Sequence, residues 1–118
     1  MIVGPPRTAS ISSRRTFEAL SATGRRGGSG PLRLRYLPDG SDRPRVAYSI
    51  PRRAGTAVAR NRLRRRLRAA VDQIVDEMAP GAYLVLPDPA AATMAFDDVI
   101  ASLREALAAA GADRRDEQ

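Results

Sequence analysis

Apolar and charged residues alternate most regularly over residues 32–37, where the sequence is Leu-Arg-Leu-Arg-Tyr-Leu. A period of two is typical of a half-buried β-strand, with the arginines on one face and the apolar side chains on the other. After the turn-forming residues 38–44, the segment 45–50 predicts a second strand, which we expect to pair antiparallel with the first. A short apolar run at 82–86, followed by two prolines, predicts a third strand.

Three other segments have the apolar spacing of amphipathic helices. The first covers about residues 13–22, where a serine can cap the N-terminus. The second is longer and covers about residues 55–78, and the third covers about residues 96–110. Between the first helix and the first strand, residues 24–30 hold two arginines and four glycines. This composition predicts a flexible basic loop.

The order helix, strand, strand, helix, strand, helix predicts an α+β fold, a two-layer sandwich in which helices pack on a small mixed sheet. A length of 118 residues is typical of one domain. We expect residues 1–12 to be a flexible N-terminal lead, residues 13–111 to form a single domain, and residues 112–118 to be a polar tail. The sequence shows no internal repeat.

The residue composition excludes several kinds of chemistry. The chain has no cysteine and no histidine, so we predict no disulfide, no thiolate metal site and no histidine base. We therefore predict no catalytic residue, no metal ligand and no cofactor bound by the protein. No apolar run approaches the ~20 residues of a membrane span, so we expect a cytoplasmic protein with no membrane partner.

Positive charge is concentrated in residues 52–68, which contain eight arginines and no acidic residue. Helical periodicity places the apolar residues of this region on one stripe, namely Ala59, Leu63, Leu67, Ala70, Val71, Ile74 and Met78. It places Asn61, Arg64, Arg65 and Arg68 toward solvent, Arg62 and Arg66 along one flank, and Arg60 at the margin of the stripe. Like charges four residues apart each cost about 0.2–0.5 kcal/mol in an isolated helix. Phosphates of a polyanionic partner would supply the missing counter-charge, so we predict nucleic-acid binding rather than a merely solvated face.

The segment from Ser49 to Arg68, SIPRRAGTAVARNRLRRRLR, resembles the signature of the bacterial ribonuclease P protein component. In that family a strand ends in Ser-Val-Ser-Lys-Lys, a helix starts with Gly-x-Ala-Val, and Arg-Asn-Arg-x-Lys-Arg follows. The resemblance extends in order and spacing over roughly residues 11–110. It implies a compact α+β fold with an unusual left-handed strand–helix–strand crossover.

The resemblance also implies a function. The protein would be the non-catalytic subunit of an endoribonuclease whose RNA, with its own bound magnesium, removes the 5′ leader of precursor tRNA. The implied partners are ribonuclease P RNA and the precursor leader, and no DNA. The residues implied to contact the catalytic RNA are Arg52, Arg53, Arg60, Asn61, Arg62, Arg64, Arg65 and Arg68. The residues implied to line a leader cleft between the first helix and the sheet are Phe17, Arg35, Tyr36, Tyr48 and Ser49.

Several positions depart from the family pattern. Ser21 stands where many members have a second aromatic residue on the first helix, and Pro51 and Ala54 replace commoner residues before the long helix. Asp88 follows the third strand, where a basic contact is expected, and the basic loop at residues 24–30 is a candidate replacement. The aromatic candidates for the cleft also have an alternative role as core residues.

Three rival functions remain open from the sequence. The first is a ribosome-associated or other structural RNA-binding protein with a similar basic helix. The second is a DNA-binding module with this helix in a major groove, although the apolar stripe is expected to face its own domain. The third is a nuclease that cleaves RNA without an RNA subunit.

Overall fold

The computed structural model describes residues 9–10 and 13–113. These residues form a five-stranded sheet and three α-helices. In chain order the elements are β1 (Ala9–Ser10), α1 (Arg14–Thr23), β2 (Arg25–Ser29), β3 (Leu32–Leu37), β4 (Pro44–Tyr48), α2 (Ala57–Ile74), β5 (Gly81–Pro87) and α3 (Phe96–Ala109). Single turns of 3-10 helix cover Arg52–Ala54, Val75–Glu77 and Pro89–Ala92. The predicted α+β class and mixed sheet are confirmed.

The strand order in the sheet is β1-β4-β5-β3-β2. Strand β5 pairs antiparallel with β3 and parallel with β4, and β2 pairs antiparallel with β3. The helices α2 and α3 pack against one face of the sheet, which gives the predicted two-layer sandwich, and α1 lies across part of the opposite face. The parallel strands β4 and β5 are joined through α2, as the family resemblance implies. The left-handed sense of this crossover stays a prediction.

The predicted hairpin between the first two long strands is wrong, because β5 lies between β3 and β4. The residues of β5 explain its central position. From Gly81 to Val85 every residue is buried, so both faces of this strand are covered by protein. A strand that is apolar on both faces is stabilised most at the centre of a sheet, and the half-polar β3 and β4 then flank it.

The predicted flexible loop at residues 24–30 is also wrong, because most of it forms the edge strand β2. The sequence Arg-Arg-Gly-Gly-Ser lacks the alternation that identifies a strand, since α3 covers β2 where a side chain would point. A Cβ atom on Gly27 would overlap the carbonyl oxygen of Ala106 in α3 and lie 2.8 Å from the amide nitrogen of Ala110. Glycine is therefore required here by the close approach of the helix.

The ends of the predicted domain differ from expectation. Within the predicted flexible lead, Ala9–Ser10 pairs in parallel with β4, while residues 1–8 and 11–12 lie outside the described residues. At the other end, Ala112 is fully buried and accepts a hydrogen bond from the Ala79 amide at 2.9 Å. The rest of the predicted tail, residues 114–118, lies outside the described residues. The domain bounds themselves stay a prediction.

The apolar stripe of α2 forms the centre of the core, as predicted. The side chains of Leu63, Leu67, Ala70, Val71, Ile74 and Met78 are buried, and Ala59 is half-buried. The helix begins after Thr56, whose hydroxyl accepts a hydrogen bond from the Ala59 amide at 3.1 Å. This packing orients α2 so that its arginine-rich side points away from the sheet.

Candidate nucleic-acid interface

The side of α2 opposite the core carries the exposed side chains of Asn61, Arg62, Arg65 and Arg68. We call the surface formed by Arg62, Arg65 and Arg68 the arginine face. Within residues 9–10 and 13–113, neither Arg62 nor Arg65 forms a hydrogen bond or an ion pair. Their guanidinium groups are therefore available to external anions.

Other polar groups of α2 make contacts within the protein. Arg64 donates to Asn61 Oδ1 at 2.9 Å, and the Arg68 guanidinium lies 5.9 Å from the centre of the Tyr48 ring. Burial raises the pKa of Tyr48 to about 12, against the lowering effect of Arg68, so the phenol is protonated at neutral pH. Arg60 is half-buried at the margin predicted for it, and its Nε is buried without a hydrogen-bond partner among the described residues.

Arg66 differs from the neighbouring arginines because its guanidinium binds the protein itself. It donates to the carbonyl oxygen of Ala91 at 2.7 Å and also to that of Met94. Both acceptors belong to the segment between β5 and α3. Arg66 therefore holds this segment against the flank of α2.

Replacing Arg66 with alanine should lower the free energy of unfolding by about 1–3 kcal/mol, because two hydrogen bonds from a charged donor are lost. Replacing the adjacent Arg65 with alanine should change it little, since Arg65 is exposed. Urea unfolding of the two variants measures the difference. Equal stabilities would contradict the bracing role of Arg66.

The loop before α2 carries Arg52 and Arg53, both exposed as a nucleic-acid contact requires. Arg53 also forms a salt bridge of 3.2 Å with Asp88. Asp88 accepts a further hydrogen bond from the Ala90 amide at 3.1 Å. This amide and the Arg53 guanidinium hold the pKa of Asp88 below its ordinary value. The family departure at Asp88 thus ties the loop before α2 to the turn after β5.

A second candidate surface lies on the opposite face of the sheet, beside α1. Phe17 is half-buried against a small apolar cluster that includes Leu20 and Leu84. The α1 surface beside it forms an open cavity of about 510 Å³ that Phe17 and Ser21 line. Arg35 reaches the same helix and donates to the carbonyl oxygen of Ser21. We call this surface the α1 groove.

The five residues predicted for a leader cleft do not all lie together. Tyr36 is only 5% exposed and lies on the α2 and α3 side, where its ring centre is 4.8 Å from that of Tyr83. Its hydroxyl donates to the Pro80 carbonyl at 2.8 Å. Tyr48 also packs on that side of the sheet. The alternation that places Tyr36 beside Leu34 accounts for its core position.

Phe17 and Arg35 therefore define the α1 groove, and Ser49 lies near it. Ser49 is exposed directly after β4, and its amide donates to the Val85 carbonyl at 2.9 Å. Strand alternation places Ser49 on the same side as Ala47, which belongs to the apolar cluster under α1.

The fold brings two further arginines, not predicted as site residues, to the same side of the sheet. Arg26 lies opposite Arg35 in the β2–β3 ladder, and Arg33 lies two residues from Arg35 along β3. Directly opposed residues of an antiparallel pair share a face of the sheet, so all three lie on the α1 side. Together with Leu86 they line a pocket of about 240 Å³. We call Arg26, Arg33 and Arg35 the basic row.

The signal for Arg33 is present in the sequence, because the alternation of β3 places it beside Arg35. Arg26 cannot be found in this way, since the composition of the segment that contains it predicts a loop. Its neighbour Arg25 points to the other face, where its guanidinium lies 5.8 Å from the centre of the Tyr36 ring.

The fold belongs to a structural class of small RNase P proteins. The structure of Staphylococcus aureus RNase P protein at 2.0 Å matches with a TM-score of 0.78 and 19% identity, over 90% of this chain and 98% of that chain. The RNase P protein from Thermotoga maritima matches with a TM-score of 0.72 and 21% identity, over 80% of this chain and 91% of that chain.

The sequence matches the family model for Ribonuclease P over residues 6–111. The Ribonuclease P protein component of Roseiflexus sp. is 35% identical over 97 residues, which cover 80% of each chain. This chain therefore belongs to the ribonuclease P protein family.

The helices and the acidic side chains of the described part of the chain form neither a membrane span nor a metal site. No helix between residues 13 and 113 has both the length and the apolar character needed to cross a membrane. The same part contains no group of three or more histidine, cysteine, aspartate or glutamate side chains arranged to hold a metal ion.

Proposed function

We propose that this chain is the RNA-binding subunit of a ribonuclease P holoenzyme that removes the 5′ leader of precursor tRNA. The observation that carries the proposal is the arginine face. Its side chains lie on the helix that matches the family signature, and Arg62 and Arg65 have no anionic partner within the described chain. Phosphates of the catalytic RNA would provide those partners.

In this proposal the α1 groove holds the single-stranded leader. The half-exposed ring of Phe17 offers a stacking surface, and the basic row continues from the groove toward the edge strand β2. Base stacking on an aromatic ring tolerates any sequence, as a factor that acts on many precursors requires. The sheet separates the groove from the core beneath α2, so the protein can contact RNA on two sides.

The protein's contribution to cleavage is electrostatic and positional. It offsets the repulsion between the catalytic RNA and the precursor, and it favours precursor over mature tRNA by holding the leader. Hydrolysis of the phosphodiester is carried out by the RNA with its bound magnesium, and the protein supplies no catalytic group and no metal ligand. We place the protein in the cytoplasm, together with its tRNA substrates.

Adding the protein should restore leader removal by a bacterial ribonuclease P RNA at magnesium concentrations too low for the RNA alone. The physical reason is that bound arginines replace part of the cation atmosphere that the RNA requires. The measurement is the rate of precursor tRNA cleavage with and without protein. The control variant replaces Arg62, Arg65 and Arg68 with alanine and should restore little activity.

The rival functions give different results in the same assay. Tight RNA binding without rescue would favour a structural RNA-binding protein. Cleavage by the pure protein without RNA would favour a protein nuclease. A DNA-binding module would prefer duplex DNA in competition with structured RNA, but the packing of the α2 stripe into its own domain disfavours it.

A further inference from the structure

A half-enclosed cavity of about 560 Å³ lies between α2 and the turn that follows β5. Its apolar lining comes from Ala59 and Leu63 on the helix and from Ala92 on the turn. Three arginines, Arg62, Arg65 and Arg66, complete the lining together with Thr93. Among the described residues no acidic side chain lines it, so the cavity combines an apolar interior with a uniformly cationic wall.

The wall formed by Arg66 is held in place before any ligand arrives. Its guanidinium donates to the carbonyl oxygens of Ala91 and Met94, as described above. A planar guanidinium fixed in this way can stack against a flat ring without losing further side-chain entropy. The opposite side also has an orienting group, because the Thr93 hydroxyl donates to the Ala90 carbonyl at 3.2 Å. Its lone pairs can accept a hydrogen bond from a base.

The charged rim indicates the chemistry of the occupant. Arg62 and Arg65 are exposed and belong to the arginine face, so an RNA backbone bound there passes along the mouth of the cavity. An unstacked nucleotide presents a flat apolar ring and a phosphate together, which matches an apolar interior beneath two guanidinium groups. An acidic peptide would match the rim but would leave the apolar interior unfilled.

We propose that this cavity receives one unpaired base of the RNA bound by the arginine face. This inference rests on the proposed function, because it requires an RNA partner at α2. The base lies against Leu63 and Ala92, stacks on the guanidinium of Arg66, and has its phosphate between Arg62 and Arg65. The cavity thus adds a positional contact to a surface that otherwise binds phosphates.

The test fills the cavity without changing charge. Ala92→Phe places a ring in the space intended for the base, and Ala92 is exposed, so the core is not disturbed. The matched control is Ala90→Phe, on the same turn, since Ala90 is exposed and does not line the cavity. Thr93→Phe enters from the same rim and replaces Ala92→Phe if that variant does not fold.

Binding of a bacterial ribonuclease P RNA is measured over a range of salt concentrations, together with chemical probing of all four bases. We expect the wild-type protein to protect an unpaired base. Ala92→Phe should abolish that protection and weaken binding by about tenfold, within the range that one stacked base contributes. The salt dependence should be unchanged because no phosphate contact is lost. Ala90→Phe should behave as wild type.

Three results would overturn the proposal. If Ala92→Phe binds as tightly as wild type with the same protected bases, the cavity does not receive a base, while the proposed function stands. If its binding weakens with a shallower salt dependence and no base is protected in the wild type, the occupant is a phosphate. If the wild-type protein does not bind the RNA, the proposed function fails as well.

Discussion

Replacing Arg62, Arg65 and Arg68 together with alanine should weaken binding to bacterial ribonuclease P RNA by roughly 100-fold near physiological salt. Each exposed guanidinium–phosphate contact should contribute about 1 kcal/mol, which is less than a buried charged hydrogen bond contributes. Each lost phosphate contact should also reduce the slope of log affinity against log salt by about 0.7–0.9. Titrations at several salt concentrations measure both quantities.

A control variant of equal charge separates local contacts from net charge. Replacing Arg15, Arg43 and Arg104 with alanine also lowers the net charge from +7 by three units, to +4. These residues lie on α1, in the turn before β4, and on α3, away from the arginine face. We expect the control variant to lose less affinity and to keep most of the slope. An unchanged slope in the α2 variant would reject backbone contacts at the arginine face.

Replacing Phe17 with leucine should reduce the preference for precursor over mature tRNA by about tenfold, within the range for one base stacked on an aromatic ring. Leucine keeps the apolar contact with the cluster beneath α1 but removes the flat ring. The measurement compares holoenzyme affinities for a precursor with a single-stranded leader and for the mature tRNA. Only the affinity for the precursor should fall.

The chain contains one other phenylalanine, which provides a matched control. Phe96 lies at the start of α3 and is 37% exposed. Phe96→Leu should leave the preference for precursor unchanged, because this ring lies outside the α1 groove. Equal losses in the two variants would point to a general effect on folding. A wild-type preference in Phe17→Leu would show that the leader does not stack on Phe17.

The two surfaces were predictable to different degrees. The arginine face follows from helical periodicity, which is a local property: once the apolar stripe of α2 is buried, the exposure of Arg62, Arg65 and Arg68 is determined. The α1 groove depends on contacts between distant segments. Strand alternation correctly placed Arg35 opposite the apolar face of β3, but it also required Tyr36 to lie in the core.

The sequence by itself determined the α+β class, the three helices, the long strands β3, β4 and β5, and the arginine-rich side of α2. Each of these depends on periodicity or capping within a single segment, so the signal is contained in neighbouring residues. The family signature between Ser49 and Arg68 is equally local, and it indicates the kind of partner without reference to any long-range contact.

The tertiary structure decided what depends on long-range pairing. The central place of β5 follows from the burial of both its faces, which the helices on each side of the sheet create. Strand β2 exists because β3 offers an edge and α3 covers Gly27. The bracing role of Arg66 and the Arg53–Asp88 pair join residues 28 and 35 positions apart. No local pattern encodes such contacts, because their energy appears only when the separate segments have packed together.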